Sequence, residues 1–345
     1  CENRHVISIC ECPCFPVLPS PASSMLRLVA LPAASLVGGV ALCYKKQEFQ
    51  RAESFPVVDH WHGKTRVRVL KVRRDSQGKE HSVSEYSVQT RLFSPKTYEK
   101  VFTRGDNADL VATDTQKNTV YVIAKRTNAE TPEAFGCAIA DHLIREYAVL
   151  DRVEVEVKEV LWQRHDGHAH AFIQTAPERN VAYVALDRGD KAPKVTSEIS
   201  GMTVLKTTQS GFEGYHKDRY TLLPPCVERC LATELTATWE YTAAAAAVDY
   251  GAIRAAVRAQ LTKGLFGPAA TGLYSASLQA TIYDAGCLAL THVPQLSQIS
   301  IDTPNLHYLP TKQLLAGIDE KFDNDVFIPT NEPSGTIFCT IKREA

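Results

Sequence analysis

From Thr65 to Val72 the chain reads TRVRVLKV, branched apolar residues alternating with charged ones, which is the two-residue period of a strand with one buried face. Ser82 to Leu92 carries a similar pattern and supplies an antiparallel partner. The period then lengthens. In DNADLVATDTQKNTVYVIAKRT, Asp114 reads as the cap of a helix running through Val120, Tyr121 and Ala124. Thr131-Pro132-Glu133 marks a second helix start, with a capping hydroxyl, proline in the first turn and an acid near the positive end. Phe135, Ala138, Ile139, His142 and Leu143 then share one face. Val153 to Val160 returns to alternation, valine against glutamate and lysine, and Ala169 to Thr175 comes back from a turn as its partner.

The second half follows the same order. Strands are expected over 195–207 and 232–242, an alanine-rich helix over 249–262, a further helix over 275–290, and strands near 297–302 and 335–342. Strand–strand–helix–helix–strand–strand, twice, predicts an α+β protein with antiparallel sheets and helices on one face. The units are placed at 57–190 and 191–345, although their sequences are not visibly alike.

Residues 1–56 differ in kind from the rest. After Met25, Leu26 to Leu42 is apolar apart from Arg27 and Ser35, and Lys45 and Lys46 follow. The run reads as a signal-type segment, a short anchor, or sequence outside the mature protein; Pro32, Gly38 and Gly39 argue against a spanning helix. It is set aside as a non-core extension, and no membrane association is expected of the core.

Composition narrows the function. The 345 residues carry 38 basic and 39 acidic side chains, so no global field draws in nucleic acid. Cys1, Cys10, Cys12, Cys14 and Cys43 cluster at the start, while Cys137, Cys226, Cys230, Cys287 and Cys339 are scattered, as reduced thiols of an intracellular protein would be. Cys226 and Cys230 would share a face if helical, but two further zinc ligands are missing nearby.

The most informative stretch is 202–229. It sets Phe212, Tyr215, Tyr220, Leu223 and Arg229 at fixed spacings behind a β-like run ending at Lys206. An aromatic face and a guanidinium suit a flat, polar, anionic heterocycle: the ring stacks on Phe212 while Arg229 forks onto an oxygen and a ring nitrogen. Four more segments accompany it: His62-Gly63-Lys64-Thr65, Val111-Ala112-Thr113-Asp114-Thr115 with Asn118-Thr119, Ser277-Leu278-Gln279-Ala280-Thr281, and Asn305-Leu306-His307-Tyr308. Singly, Lys64 is a solvated charge, Thr113 a helix cap, Asn305 a turn residue after Pro304, and His307 a partly buried imidazole. Together, in this order and spacing, the set resembles the urate oxidase (uricase) family over 61–343.

That resemblance implies a tandem T-fold (tunnelling fold) of two ββααββ-like units, assembling into a homotetrameric barrel with active sites between subunits. It implies oxidation of urate by O2 and water to 5-hydroxyisourate and hydrogen peroxide. Urate is electron-rich enough to reduce dioxygen once deprotonated, so no cofactor and no metal is expected. Lys64, Thr113 and His307 would form a proton relay. Phe212 would be the stacking floor, and Arg229 and Gln279 a two-sided clamp. Leu278 would offer a backbone N–H, Thr113 and Asp114 would bind the ring, and Asn305 would hold oxygen, peroxide or the attacking water. Lys64 can act as a base only if burial or a neighbouring cation lowers its pKa. The His165–His170 tract looks metal-binding, since His168 and His170 would share a strand face, but the family carries a similar stretch while needing no metal. Three departures stand out: Arg343-Glu344-Ala345 is not the Ser-Lys-Leu-like peroxisomal signal of many eukaryotic members, Leu278 replaces the commoner valine, and Pro224-Pro225 precede the helical turn expected before Arg229. The competing readings are a non-catalytic purine-binding or structural T-fold protein, and a T-fold relative acting on pterins, with or without zinc.

Overall fold

The alternating run near residue 65 forms β1 (His62–Arg74), which pairs antiparallel with β2 (His81–Phe93). Three helices follow, α1 (Pro95–Arg104), α2 (Thr113–Arg126) and α3 (Pro132–Glu146), and the chain returns through β3 (Arg152–Arg164) and β4 (Phe172–Asp187). β5 (Lys194–Lys206) and β6 (Leu231–Tyr241) precede α4 (Tyr250–Phe266) and α5 (Leu278–His292). The chain closes through β7 (Leu296–Pro310), the short α6 (Lys312–Ala316), β8 (Phe327–Thr330) and β9 (Thr336–Lys342). This computed structural model describes residues 55–128, 130–242 and 248–344. The apolar run Leu26–Leu42 and the five N-terminal cysteines therefore lie outside the described residues. No helix among the described residues is long and apolar enough to cross a membrane.

Among the described residues all named strands pair antiparallel, and β1 to β8 neighbour one another in chain order in a nine-stranded sheet. β9 also pairs with β7, taking Gln298–Pro304, while β8 takes His307–Pro310. Side chains alternate across the sheet: Val153, Val155 and Val157 of β3 are buried, whereas Glu154, Glu156 and Lys158 face the opposite way. The helices cover the apolar face. One hydrophobic centre joins Tyr86, Leu92 and Val155 to Phe135, Ile139 and Leu143 of α3; the other joins Trp239, Leu235 and Ile299 to Val257 of α4 and Ile282 of α5.

The β4–β5 pairing makes the sheet continuous, and buried polar contacts tie the two centres together. Glu133, fully buried at the start of α3, accepts from Ser197 Oγ at 2.6 Å and from the Arg254 guanidinium of α4. Arg254 also donates to the Glu198 carbonyl at 2.5 Å and lies 5.2 Å from the Trp239 ring centre.

Several expectations change. Thr131 caps α3, accepting from the Ala134 amide at 3.2 Å, but Asp114 is not a cap: α2 starts at Thr113 and is preceded by Ala112. Asp114 lies in the first turn and accepts from Lys117 Nζ and Asn118 Nδ2, at 2.5 and 2.8 Å. The histidine tract is a turn rather than strand, with positive φ at Asp166 and Gly167, and β4 begins only at Phe172. Cys226 and Cys230 lie in extended, irregular chain and share no helical face; no helical turn precedes Arg229. β7 runs past 302 to Pro310, so Asn305 is a strand residue and not a turn residue, and His307 lies on the same strand.

Candidate active site

The motif residues fall into two clusters. The first lies where β1 begins. A Cβ on Gly63 would sit 1.8 Å from the Thr90 carbonyl oxygen, so only glycine lets β1 press this closely onto β2. Directly after Lys64 the register shifts, and Arg66 adopts φ 55°, a bulge that turns the strand end. Lys64 is half-buried, whereas Thr113 and Asp114, at the first turn of α2, are exposed. The hydrogen bond and charge of Lys117 hold the Asp114 carboxyl below the usual carboxylate range, with the nearby charge of Lys64 adding to the effect. Asp114 therefore presents a carboxylate, next to a lysine and at the positive end of a helix.

The second cluster is built from three pieces of chain. The loop after β5 folds back on itself, with Phe212 and Cys226 exchanging backbone hydrogen bonds of 2.6 and 3.0 Å. Arg229 N–H donates to the Ser210 carbonyl at 2.8 Å, and Ser210 is bridged to Ser275 ahead of α5. Gly211 is required here too, since a Cβ would lie 2.9 Å from the Cys226 carbonyl oxygen. These contacts put the Arg229 guanidinium carbon 5.4 Å from the centre of the Phe212 ring. Tyr215 stacks on Phe212, with centres 4.9 Å apart and planes 10° from parallel, so it backs one face of that ring. Burial lowers the pKa of Arg229, and its Nε–H is shielded without a partner among the described residues, an oriented donor on a half-buried cation.

Ser277 caps α5 by accepting from the Ala280 amide at 3.1 Å, which sets Leu278 and Gln279 as the first two helical residues. Their N–H groups have no intrahelical acceptor by position alone. Leu278 anchors its side chain in the core, and Gln279 is exposed. On β7, Asn305 and His307 are two residues apart and so share a face, both half-buried. Asn305 is fixed by its N–H to the Gly335 carbonyl at 2.8 Å and by Ser334 Oγ donating to its own carbonyl at 2.8 Å.

The structure thus groups Lys64 with Thr113 and Asp114, and separately groups Phe212 and Arg229 with the start of α5, with β7 adjoining where Leu306 pairs with Ala232, three residues after Arg229. It does not bring the groups together within one chain. β1 and β7 are six strand positions apart in the sheet order, about 29 Å measured along the sheet. Residues that sequence reasoning passed over include Tyr215 as a backing ring and the buried Thr90 and Gln116 beside Lys64. No group of three or more His, Cys, Asp or Glu with metal-holding geometry occurs among the described residues.

A sequence profile of the uricase family matches residues 60–185 and 195–338. Among curated relatives, the uricase of Oryctolagus cuniculus is 37% identical over 299 residues, covering 86% of this chain and 97% of its own. Uricase-2 isozyme 1 of Canavalia lineata is 37% identical over 297 residues, covering 83% and 95%. Among solved structures, the uricase from Arthrobacter globiformis aligns with a TM-score of 0.77 at 31% identity, over 85% of this chain and 96% of that one.

Proposed function

The chain belongs to the uricase family, and from that premise we propose how its residues divide the work of oxidising urate. It is a urate oxidase with an α+β tunnelling fold; urate, O2 and water become 5-hydroxyisourate and hydrogen peroxide, and the non-catalytic alternative is not favoured. The observation that carries the assignment of roles is the separation of the two clusters, each incomplete and each open to solvent. A second copy of the chain supplies what each lacks. We infer a homotetramer in which Lys64, Thr113 and Asp114 of one subunit face Phe212, Arg229, Leu278, Gln279, Asn305 and His307 of another.

In that site Phe212, backed by Tyr215, is the floor on which the purine lies flat. Arg229 forks onto a ring oxygen and nitrogen, Gln279 grips the opposite edge, and the Leu278 N–H adds a fixed donor. Asp114 and Thr113 meet the ring from the other subunit. Lys64, Thr113 and His307 pass protons between urate, oxygen and solvent, while the Asn305 amide holds oxygen, then peroxide or water. The electrons come from deprotonated urate itself, so the reaction is cofactor-independent and survives chelator treatment. The peroxisome is the compartment inferred from the family.

The test is urate-dependent oxygen uptake by chelator-treated Lys64→Met protein, with peroxide assayed in parallel. Turnover should fall at least about 100-fold, the usual scale of a lost general acid or base, while a xanthine analogue still binds. Wild-type turnover in this variant would remove Lys64 from the relay.

A further inference from the structure

A circuit of hydrogen bonds ties the backbone beside Lys64 to the backbone beside Thr113. Thr90, fully buried, is the register partner of Lys64 across the β1–β2 pair. Its Oγ1 accepts the Lys64 N–H at 3.4 Å and donates to Gln116 Oε1 at 2.7 Å. Gln116, also fully buried, donates Nε2–H to the Val111 carbonyl at 3.2 Å. His62 reaches the same carbonyl through Nε2 at 2.7 Å. A carbonyl only accepts, so His62 carries its proton on Nε2. Val111 stands two residues before Thr113 and His62 two before Lys64, and the circuit is closed by the chain itself.

Stability gives no reason for this arrangement. Gln116 lies on the buried side of α2 with Thr119, Val120 and Ile123. Replacing a paired buried donor and acceptor by apolar groups of similar shape is often nearly neutral. What hydrogen bonds add here is direction: they set the start of α2 against the start of β1, and packing alone would let one slide on the other. The His62 ring rests edge-on to Tyr98, 4.8 Å between centres, which restrains its tilt.

We propose that His62, Thr90 and Gln116 are positioning residues of the urate oxidase reaction, holding Lys64 and Thr113 at the spacing that proton transfer requires. This rests on the assignment of Lys64 and Thr113 to the relay. The Arg229–Gln279 clamp lies in the other cluster, so the effect falls mainly on kcat, with a smaller one on urate binding carried through Thr113 and Asp114.

The full-length enzyme is assayed by oxygen uptake. Gln116→Met, His62→Phe and Thr90→Val should each lower kcat roughly 10- to 100-fold, the cost of a misplacement on the order of 1 Å. KM for urate should rise by a smaller factor than kcat falls, since only Thr113 and Asp114 carry the change into binding. Thr90→Ser keeps the hydroxyl and should restore kcat, and it decides the matter with Thr90→Val if the Gln116 variant does not fold. In a Lys64→Met background the same substitutions should change residual turnover by less than about twofold, because they act through Lys64. Wild-type kcat in Gln116→Met and Thr90→Val, or an undiminished loss in the Lys64→Met background, would overturn the proposal. If Lys64→Met is inactive and the three variants are fully active, the circuit fails alone. If Lys64→Met is itself fully active, the relay fails and the circuit with it.

Discussion

Arg229 shows what burial adds to a charged side chain. Its guanidinium lies beside the Phe212 ring, losing hydration on that side, and its Nε–H has no acceptor among the described residues. A lysine there would keep the charge but lose the planar fork. Arg229→Lys should therefore raise KM for urate roughly 10- to 100-fold, matching about 1.5–3 kcal/mol for hydrogen bonds to a charged group; urate-dependent kinetics read it directly. Glu159 is the opposite case, a half-buried carboxylate accepting from Asn180 Nδ2 at 2.7 Å. Burial pushes its pKa above the ordinary 4.5. The folded state then binds the proton more tightly than the unfolded chain, so stability falls as pH rises from 4.5 through the raised folded value. Glu159→Gln removes that penalty: its Tm should exceed that of the parent at pH above this window, and the gap should close as pH is lowered. Motif spacing singles out Lys64, Thr113, Phe212 and Arg229 in the sequence. Gln116 was not legible as a partner of Thr90, because one amide on an apolar helical stripe signals an internal bond only once the facing strand is known.

At the scale of elements, periodicity located the main strands and four helices because each buries one regular face. α1 escaped because Tyr98 is its one fully shielded side chain, and α6 because it buries none. The apolar pattern marks β7 only to 302: beyond that residue the strand trades its branched apolar residues for Pro304, Asn305 and His307, and pairing with β8 and β9 keeps it extended. Asp114 reads as a cap in the sequence because a carboxylate suits a helix start generally, and the first turn satisfies that preference as well as the cap does. The Glu133–Arg254 pair between α3 and α4 had no sequence signal, being 121 residues apart. Arg254→Met strands the buried Glu133 carboxylate and should cost about 3–5 kcal/mol. Adding Glu133→Gln should recover much of it, as measured by urea unfolding; equal losses in the single and double variants would show that packing, not charge, matters there.

For the whole molecule, the sequence holds every motif and says nothing about which copies meet. The clusters carry exposed apolar neighbours: Phe102, Tyr121 and Val122 near the first, and Tyr220, Leu222 and Val227 near the second, with Leu222 92% exposed. Surfaces of that kind favour burial against another chain. A site shared between subunits also explains why Thr113, Asp114 and Gln279 face solvent in one chain although the reaction needs them enclosed. The most direct test of this central claim is complementation. Lys64→Met and Arg229→Ala chains, each inactive alone, are co-expressed and the mixed assemblies purified and assayed for urate-dependent oxygen uptake. Random mixing should restore roughly a quarter of parental turnover, since that share of sites draws an intact half from each chain. Mixed assemblies no more active than either parent variant would mean that one chain builds the whole site by itself.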